Sequence, residues 1–338
     1  MRKYCLLLLL CLNTVILFAQ DIQYSQFYAA PMYLNPAFAG SAEMTRVGVN
    51  FRNQWPSLDR SFVAYSAYVD HFFENKNSGI GLIINGSQET LSNLQNHEIG
   101  LLYSYRLKLG ENGYLHFGLQ GSYGLRAAAF DEIILGTQLD IDRGVVLPSP
   151  SNGLIDDRQI DFFDLHSGIL YYNDKIWFGL ATHHLTQPNM SYLMNERDVL
   201  FRKYSAHGGV KFPLRPGFIN DYFNNTLQDR TISFAFNYKR QGIFDQLDIG
   251  TELFFEPLVL GLWYRGLPSF NGLPNNDALI GVVGFSLDNG MDIGYSYDFT
   301  ISSLGFRNSG GAHEVSMRYS FVDQLWNRGA RKSPTFRY

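Results

Sequence analysis

A transmembrane antiparallel β-barrel of about 14 strands, all-β, is the fold class that three features of this 338-residue sequence predict. Apolar and polar residues alternate with a period of two along most of the chain. Runs of about ten such residues are joined by short turns and long loops, and an export-type leader opens the sequence. The composition agrees: charged residues are 17% and aromatics 15%, mostly Phe and Tyr, which suits strands more than soluble helices.

The leader is "MRKYCLLLLLCLNTVILFAQ", residues 1–20. Arg2 and Lys3 form its basic start, an apolar core follows, and Ala19 is the small residue before cleavage near Ala19 or Gln20. Cys5 and Cys11 both lie inside it, so the remaining chain has no disulfide, thiolate or cysteine-metal chemistry. The formal charge of −4 becomes −6 without Arg2 and Lys3, which leaves no basic footprint for nucleic acid. Beyond the leader no apolar stretch reaches 18 residues, so helical membrane spans are not expected.

Strands begin near residue 46. "RVGVNFRNQ" sets Val47, Val49 and Phe51 against Arg46, Asn50 and Arg52. "HEIGLLYSYRLKLG" sets Ile99, Leu101, Tyr103, Tyr105, Leu107 and Leu109 against Glu98, Gly100, Ser104, Arg106 and Lys108. "TISFAFNY", "MDIGYSYDFT" and "GGAHEVSMRYSF" continue the pattern to about residue 321. Short connections at 110–113, 172–174 and 288–290 are built on Gly, Asn and Asp, as tight turns require. Longer ones fall at 129–160, 187–202, 213–229, 267–276 and 303–310. A closed ring satisfies every backbone group in hydrocarbon, with the apolar face on lipid and the charged face inward. An exported soluble β-sandwich also alternates, but with shorter strands and more charge.

The segment "QDIQYSQFYAAPMYLNPAFAG" carries a resemblance. Tyr24, Ser25, Gln26 and Phe27, then Asn35, Pro36, Ala37, Phe38, Ala39 and Gly40, resemble the opening of the PorP/SprF family of the Bacteroidetes type IX secretion system. Arg52 and Trp55 in "FRNQWPSL", "GYSYDFTISSL" and the terminal "GGAHEVSMRYSF" extend the likeness. It implies a non-enzymatic outer-membrane barrel without a cofactor, working beside the translocon and periplasmic ring lipoproteins. The cargo implied is a large surface protein with a type B C-terminal signal, a gliding adhesin for example. The expected organisation is a signal peptide (1–20), an N-terminal periplasmic segment (21–41), the barrel (42–321) and a basic, periplasmic C-terminal tail (322–338).

The candidate partner-binding residues are therefore Tyr24, Ser25, Gln26, Phe27, Asn35, Pro36, Gly40, Arg52 and Trp55. "YLNPAFAG" reads first as a lead into the first strand, since Pro36 holds Asn35 extended and Gly40 permits a sharp turn. Plugging of the lumen and docking on a periplasmic partner are its other readings. Arg106, Arg126, Asp292, Asp298, Glu314 and Arg318 form a candidate lumen network, since mixed charges hydrogen-bond across an interior more readily than they make a selectivity ring. The acidic connection 129–160 reads as a solvated loop and a candidate partner contact, without the regular ligand spacing of a calcium site. His183–His184, His97–Glu98 and His313–Glu314 are not expected to chelate, because adjacent residues on a strand point to opposite faces, so no metal is assigned. A small-solute diffusion channel and an outer-membrane hydrolase using His183 or His184 are the rival functions; no GxSxG or HExxH is present.

Overall fold

A strand with one face in hydrocarbon leaves an unpaired edge that lipid cannot satisfy, so the sheet must close. It does so in the computed structural model, which describes residues 21–58, 61–90, 93–128, 139–140, 143, 145–146, 159–192, 197–214, 230–267, 275–287, 289–303 and 305–321. The leader, the C-terminal tail and most of the 129–160 connection lie outside the described residues.

Fourteen antiparallel strands form the closed barrel: β1 (Arg46–Gln54), β2 (Phe62–Phe73), β3 (Ser78–Glu89), β4 (Leu94–Leu109), β5 (Gly113–Ala127), β6 (Gln159–Tyr172), β7 (Ile176–His183), β8 (Lys203–Pro213), β9 (Arg230–Gln241), β10 (Phe244–Phe255), β11 (Leu258–Leu267), β12 (Asn275–Ser286), β13 (Met291–Thr300) and β14 (Ala312–Ser320). Each pairs with its sequence neighbours, and β1 closes the ring on β14 from Arg46↔Ser320 to Gln54↔Ala312. A short strand pair, Leu139–Asp140 with Val145–Val146, stands outside this sheet. No helix among the described residues is long and apolar enough to cross a membrane.

Fourteen is an even number, so β1 starts and β14 finishes at the same end, here termed lower. Short turns at 74–77, 110–112, 173–175, 256–257 and 287–290 join strands at that end, and β8 and β9 are also linked from there, through 214–229. The upper end carries 55–61, 90–93, 128–158, 184–202, 268–274 and 301–311, with one tight turn at 242–243. Long and short connections thus sort largely by end, with 214–229 and 242–243 as the exceptions.

The expected faces are observed. Leu101, Leu119 and Leu262 are 69%, 62% and 61% exposed on the outer surface, whereas Arg46, Asn50 and Arg52 of β1 are buried. Leu101 is mid-strand, at membrane depth. Leu101→Arg is expected to lower the stability of the refolded barrel by about 2–4 kcal/mol. Arginine at exposed Leu287, beyond the end of β12, should cost less than about 1 kcal/mol; equal costs in urea titrations would show that no hydrocarbon belt surrounds β4.

Candidate functional site

The lumen is filled by the chain's own N-terminal segment, residues 21–41. Tyr24, Ser25, Gln26, Phe27, Tyr28, Met32, Leu34, Asn35, Phe38 and Ala39 are all buried. Pro36 forces Asn35 into extended backbone (φ −159°, ψ 124°) and opens a 3-10 turn over Pro36–Phe38, which Asn35 caps by accepting from Ala37 N–H at 2.9 Å. A single turn of helix, α1 (Pro31–Leu34), precedes it. Gly40, at φ +70°, turns the chain out toward β1, with its N–H donating to Asp70 Oδ2 at 2.8 Å. Each of these local choices is dictated by residue type; where the segment goes is a matter of the walls.

Its lower end is tied to β1 and β2. Arg46 Nε and Nη2 donate to the Asp70 carboxylate at 2.9 and 3.0 Å, and Nη2 also reaches Phe38 O at 3.3 Å. Midway, Asn35 Nδ2 lies 3.1 Å from Ile169 O, 3.2 Å from Leu180 O and 3.1 Å from His207 Nε2, touching three successive strands. Glycines make the room. A Cβ at Gly79 would overlap Ala39 O, one at Gly118 the main chain of Ala37, and one at Gly168 the Asn35 carboxamide oxygen. These positions share the polar, inward phase of β3, β5 and β6, so the lumen wall carries a groove cut to the segment's backbone.

Higher up, Ser25 and Gln26 face the wall made by β1, β11, β13 and β14. Ser25 N–H and Gln26 N–H donate to the two oxygens of Glu314 at 2.6 and 3.0 Å. Ser25 Oγ donates to Asp298 at 2.7 Å and accepts from Arg52 Nη1 at 2.6 Å and Arg265 Nη2 at 3.0 Å. Arg52 bridges Asp298 (2.8 Å) and Glu314 (3.3 Å), and Arg265 bridges Asp298 and Asp248 (both 2.8 Å). Ser316 Oγ donates to Gln26 Oε1 at 2.7 Å. Strand register makes these pairs possible, since Arg52 is opposite Glu314 and Asp248 opposite Arg265. The aromatic neighbours turn elsewhere: Phe27 meets Trp263 edge-on at 5.1 Å and Tyr24 meets Tyr33 at 5.3 Å.

At the top, Asp21 Oδ2 lies 2.6 Å from Lys203 Nζ and 2.8 Å from His184 Nε2, and Gln241 Nε2 donates to Asp21 Oδ1 at 3.0 Å. Burial by itself raises an aspartate; the charges of His184 and Lys203 outweigh it and hold Asp21 well below the ordinary value. Burial by itself lowers a histidine; Asp21 and Asp164 outweigh it and push His184 up to about 9. Between the segment and the β7–β9 wall lies a cavity of about 30 Å³, bordered by Leu34, His183, Lys203, Asn237 and Lys239, with room for ordered water.

The structure therefore brings together Ser25, Gln26, Arg52, Asp298 and Glu314, and seats Tyr24, Phe27, Asn35, Pro36 and Gly40 along the same lumen path. The other candidates lie apart. Trp55 is half-buried beyond β1, its backbone N–H donating to Gly311 O at 2.8 Å. Arg106 pairs with Glu43 at 2.5 Å and lies over Phe72; Arg126 lies over Tyr192; Arg318 pairs with Asp292 at 2.6 Å. Sequence reasoning missed Asp21, Asp70, Lys203 and the glycine groove. Glycines at inward-phase positions of β3, β5 and β6 were the available signal.

The two adjacent histidines depart from the expected alternation. His183 and His184 do not point to opposite faces: β7 ends at His183, and His184 adopts a left-handed backbone (φ +59°) that returns its ring to the interior, so both are buried.

A family model for the type IX secretion system membrane protein PorP/SprF matches residues 16–319, which takes in the whole lumen segment and all of the barrel but Ser320, the last residue of β14. The chain belongs to this family. No curated protein matches the chain. Among solved structures it is similar to the outer membrane protein Omp33 of Acinetobacter baumannii, at 9% identity and TM-score 0.44, covering 82% of this chain and 98% of that one. It is also similar to the KdgM porin (9%, TM-score 0.36, covering 82% and 99%) and to the TodX deltaS2S3 mutant monoaromatic hydrocarbon channel (11%, TM-score 0.43, covering 86% and 92%). In this family member, the aromatic-Ser-Gln-aromatic and Asn-Pro-Ala-aromatic-Ala-Gly elements named from the sequence are the residues that occupy the lumen.

Proposed function

We propose that this family member is a non-enzymatic outer-membrane component of type IX secretion. It assists the export or surface attachment of a specific cargo protein, adhesin-like and bearing a type B C-terminal signal. The translocon and the periplasmic ring lipoproteins are its machinery partners. The observation that carries this reading is the filled lumen: a barrel whose interior is bonded to its own N-terminal segment on several walls acts by binding, not by passing solutes. In the proposed orientation the lower end, with its short turns, is periplasmic, and the long upper connections face the exterior. The 128–158 connection is then the longest exterior connection and, by its length, the candidate contact for cargo.

Deletion of the gene is the test, read by surface proteomics and by pull-down from native membranes in mild detergent. One cargo or a small set of cargos should be lost from the surface, with unrelated exports retained and translocon proteins co-purifying. Unchanged surface attachment of every protein would reject the role. Planar-bilayer recordings address the diffusion-channel alternative, for which steady conductance of the unmodified protein is the expected sign.

A further inference from the structure

A group of metal-ligating side chains on the lumen wall plays no part in the secretion reading. Asp164 and His166 are two residues apart on β6, and the strand period places both on the inner face. His184, just past β7, turns its ring toward them through its left-handed backbone. All three are buried, and one ligand atom from each lies within 4.8 Å of the others.

The surroundings are arranged as an outer shell around such ligands. Asp164 Oδ1 is occupied by Leu165 N–H at 2.8 Å and Thr186 Oγ1 at 2.6 Å, which leaves Oδ2 aimed at His184 Nδ1, 2.5 Å away, and 3.9 Å from His166 Nε2. His166 Nε2 is 2.9 Å from Ser122 Oγ and 3.5 Å from Glu98 Oε1. His184 Nε2 is 2.8 Å from Asp21 Oδ2, at the outer end of the lumen segment. A cation at Nδ1 leaves Nε2 to keep its contact with the Asp21 carboxylate, the usual outer-shell arrangement of a metal-bound histidine.

We propose that Asp164, His166 and His184 bind a divalent transition metal of the zinc class. Two imidazoles and one carboxylate make a mixed nitrogen–oxygen set, which suits Zn²⁺ or Co²⁺, whereas Ca²⁺ and Mg²⁺ prefer oxygen alone. Glu98 and Asp21 are the nearest further carboxylates. Through the His184–Asp21 bond, the metal clamps the top of the N-terminal segment to the β6–β7 wall. The site stands independently of the cargo role.

The test is a Co²⁺ titration of the full chain, folded in detergent and stripped with EDTA. One Co²⁺ per chain is expected, with visible d–d absorption, displaced by one equivalent of Zn²⁺. Asp164→Asn and His166→Gln should each weaken binding by about 10–100-fold, and His97→Gln, at an exposed histidine on the outside of β4, should leave it unchanged. Heat-modifiable gel mobility reports whether each variant has folded. Absence of a stoichiometric cobalt spectrum in the unmodified protein overturns the proposal without recourse to any variant. So does binding unaffected by folded Asp164→Asn and His166→Gln.

Discussion

Gly118→Val is expected to give a folded barrel with an open lumen. Position 118 lies on the inner face of β5, where a β-branched residue suits the strand. The new Cβ, however, would fall on the main chain of Pro36 and Ala37, with Ala37 Cα at only 2.5 Å. A flexible side chain can swing away from such an intrusion, but backbone held at Asn35 and Gly40 cannot. The cost to the seated segment therefore exceeds the roughly 1–3 kcal/mol of ordinary overpacking. The segment leaves the groove, taking Phe27, Met32 and Phe38 out of their buried sites, each of which stabilises by about 1.5–3 kcal/mol. Planar-bilayer recordings should change from a quiet baseline to discrete openings, while heat-modifiable mobility shows that the barrel persists. A folded Gly118→Val protein that remains silent in the bilayer would mean that residues 21–41 are not what closes the lumen.

Arg52→Met is expected to have the largest effect on stability among the lumen charges. Arg52 is 2% exposed and contacts Asp298, Glu314 and Ser25 together. Its removal leaves buried carboxylates short of a counter-charge, for which about 3–5 kcal/mol is the usual loss. Asp298 retains Arg265, but Glu314 retains only the N–H donors of Ser25 and Gln26 and has no other ion pair among the described residues. The second replacement Glu314→Gln should therefore recover part of the loss, since it takes away the orphaned charge and keeps an acceptor. The two changes should couple by about 0.5–3 kcal/mol in urea titrations. Additive losses would show that Arg52 and Glu314 do not interact in the folded barrel.

Much of the fold could be read directly. The alternation in "HEIGLLYSYRLKLG" assigned Leu101 to lipid and Ser104 to the interior, and Leu101 is indeed strongly exposed while Ser104 is buried. The strand number and the tight turns near 110–113, 172–174 and 288–290 follow from the same periodicity and from Gly, Asn and Asp at the turns. The candidate site was partly legible. Asn-Pro and Gly40 announced an extended residue and a sharp turn, and both are present. Those signals are equally consistent with a segment lying outside the barrel, because they fix dihedral angles and not location.

What the sequence determined by itself is therefore the phase of each strand: hydrocarbon accepts only the apolar face, and a period of two carries that choice residue by residue. Tertiary structure alone decided which ionised groups meet. Arg52 and Glu314 are 262 residues apart and become neighbours only because β1 closes on β14 in one register. It likewise decided that residues 21–41 run through the interior, since the groove that receives them is assembled from glycines of separate strands. Closure of a ring and the filling of its lumen are properties of the whole sheet, and no local window of sequence contains them.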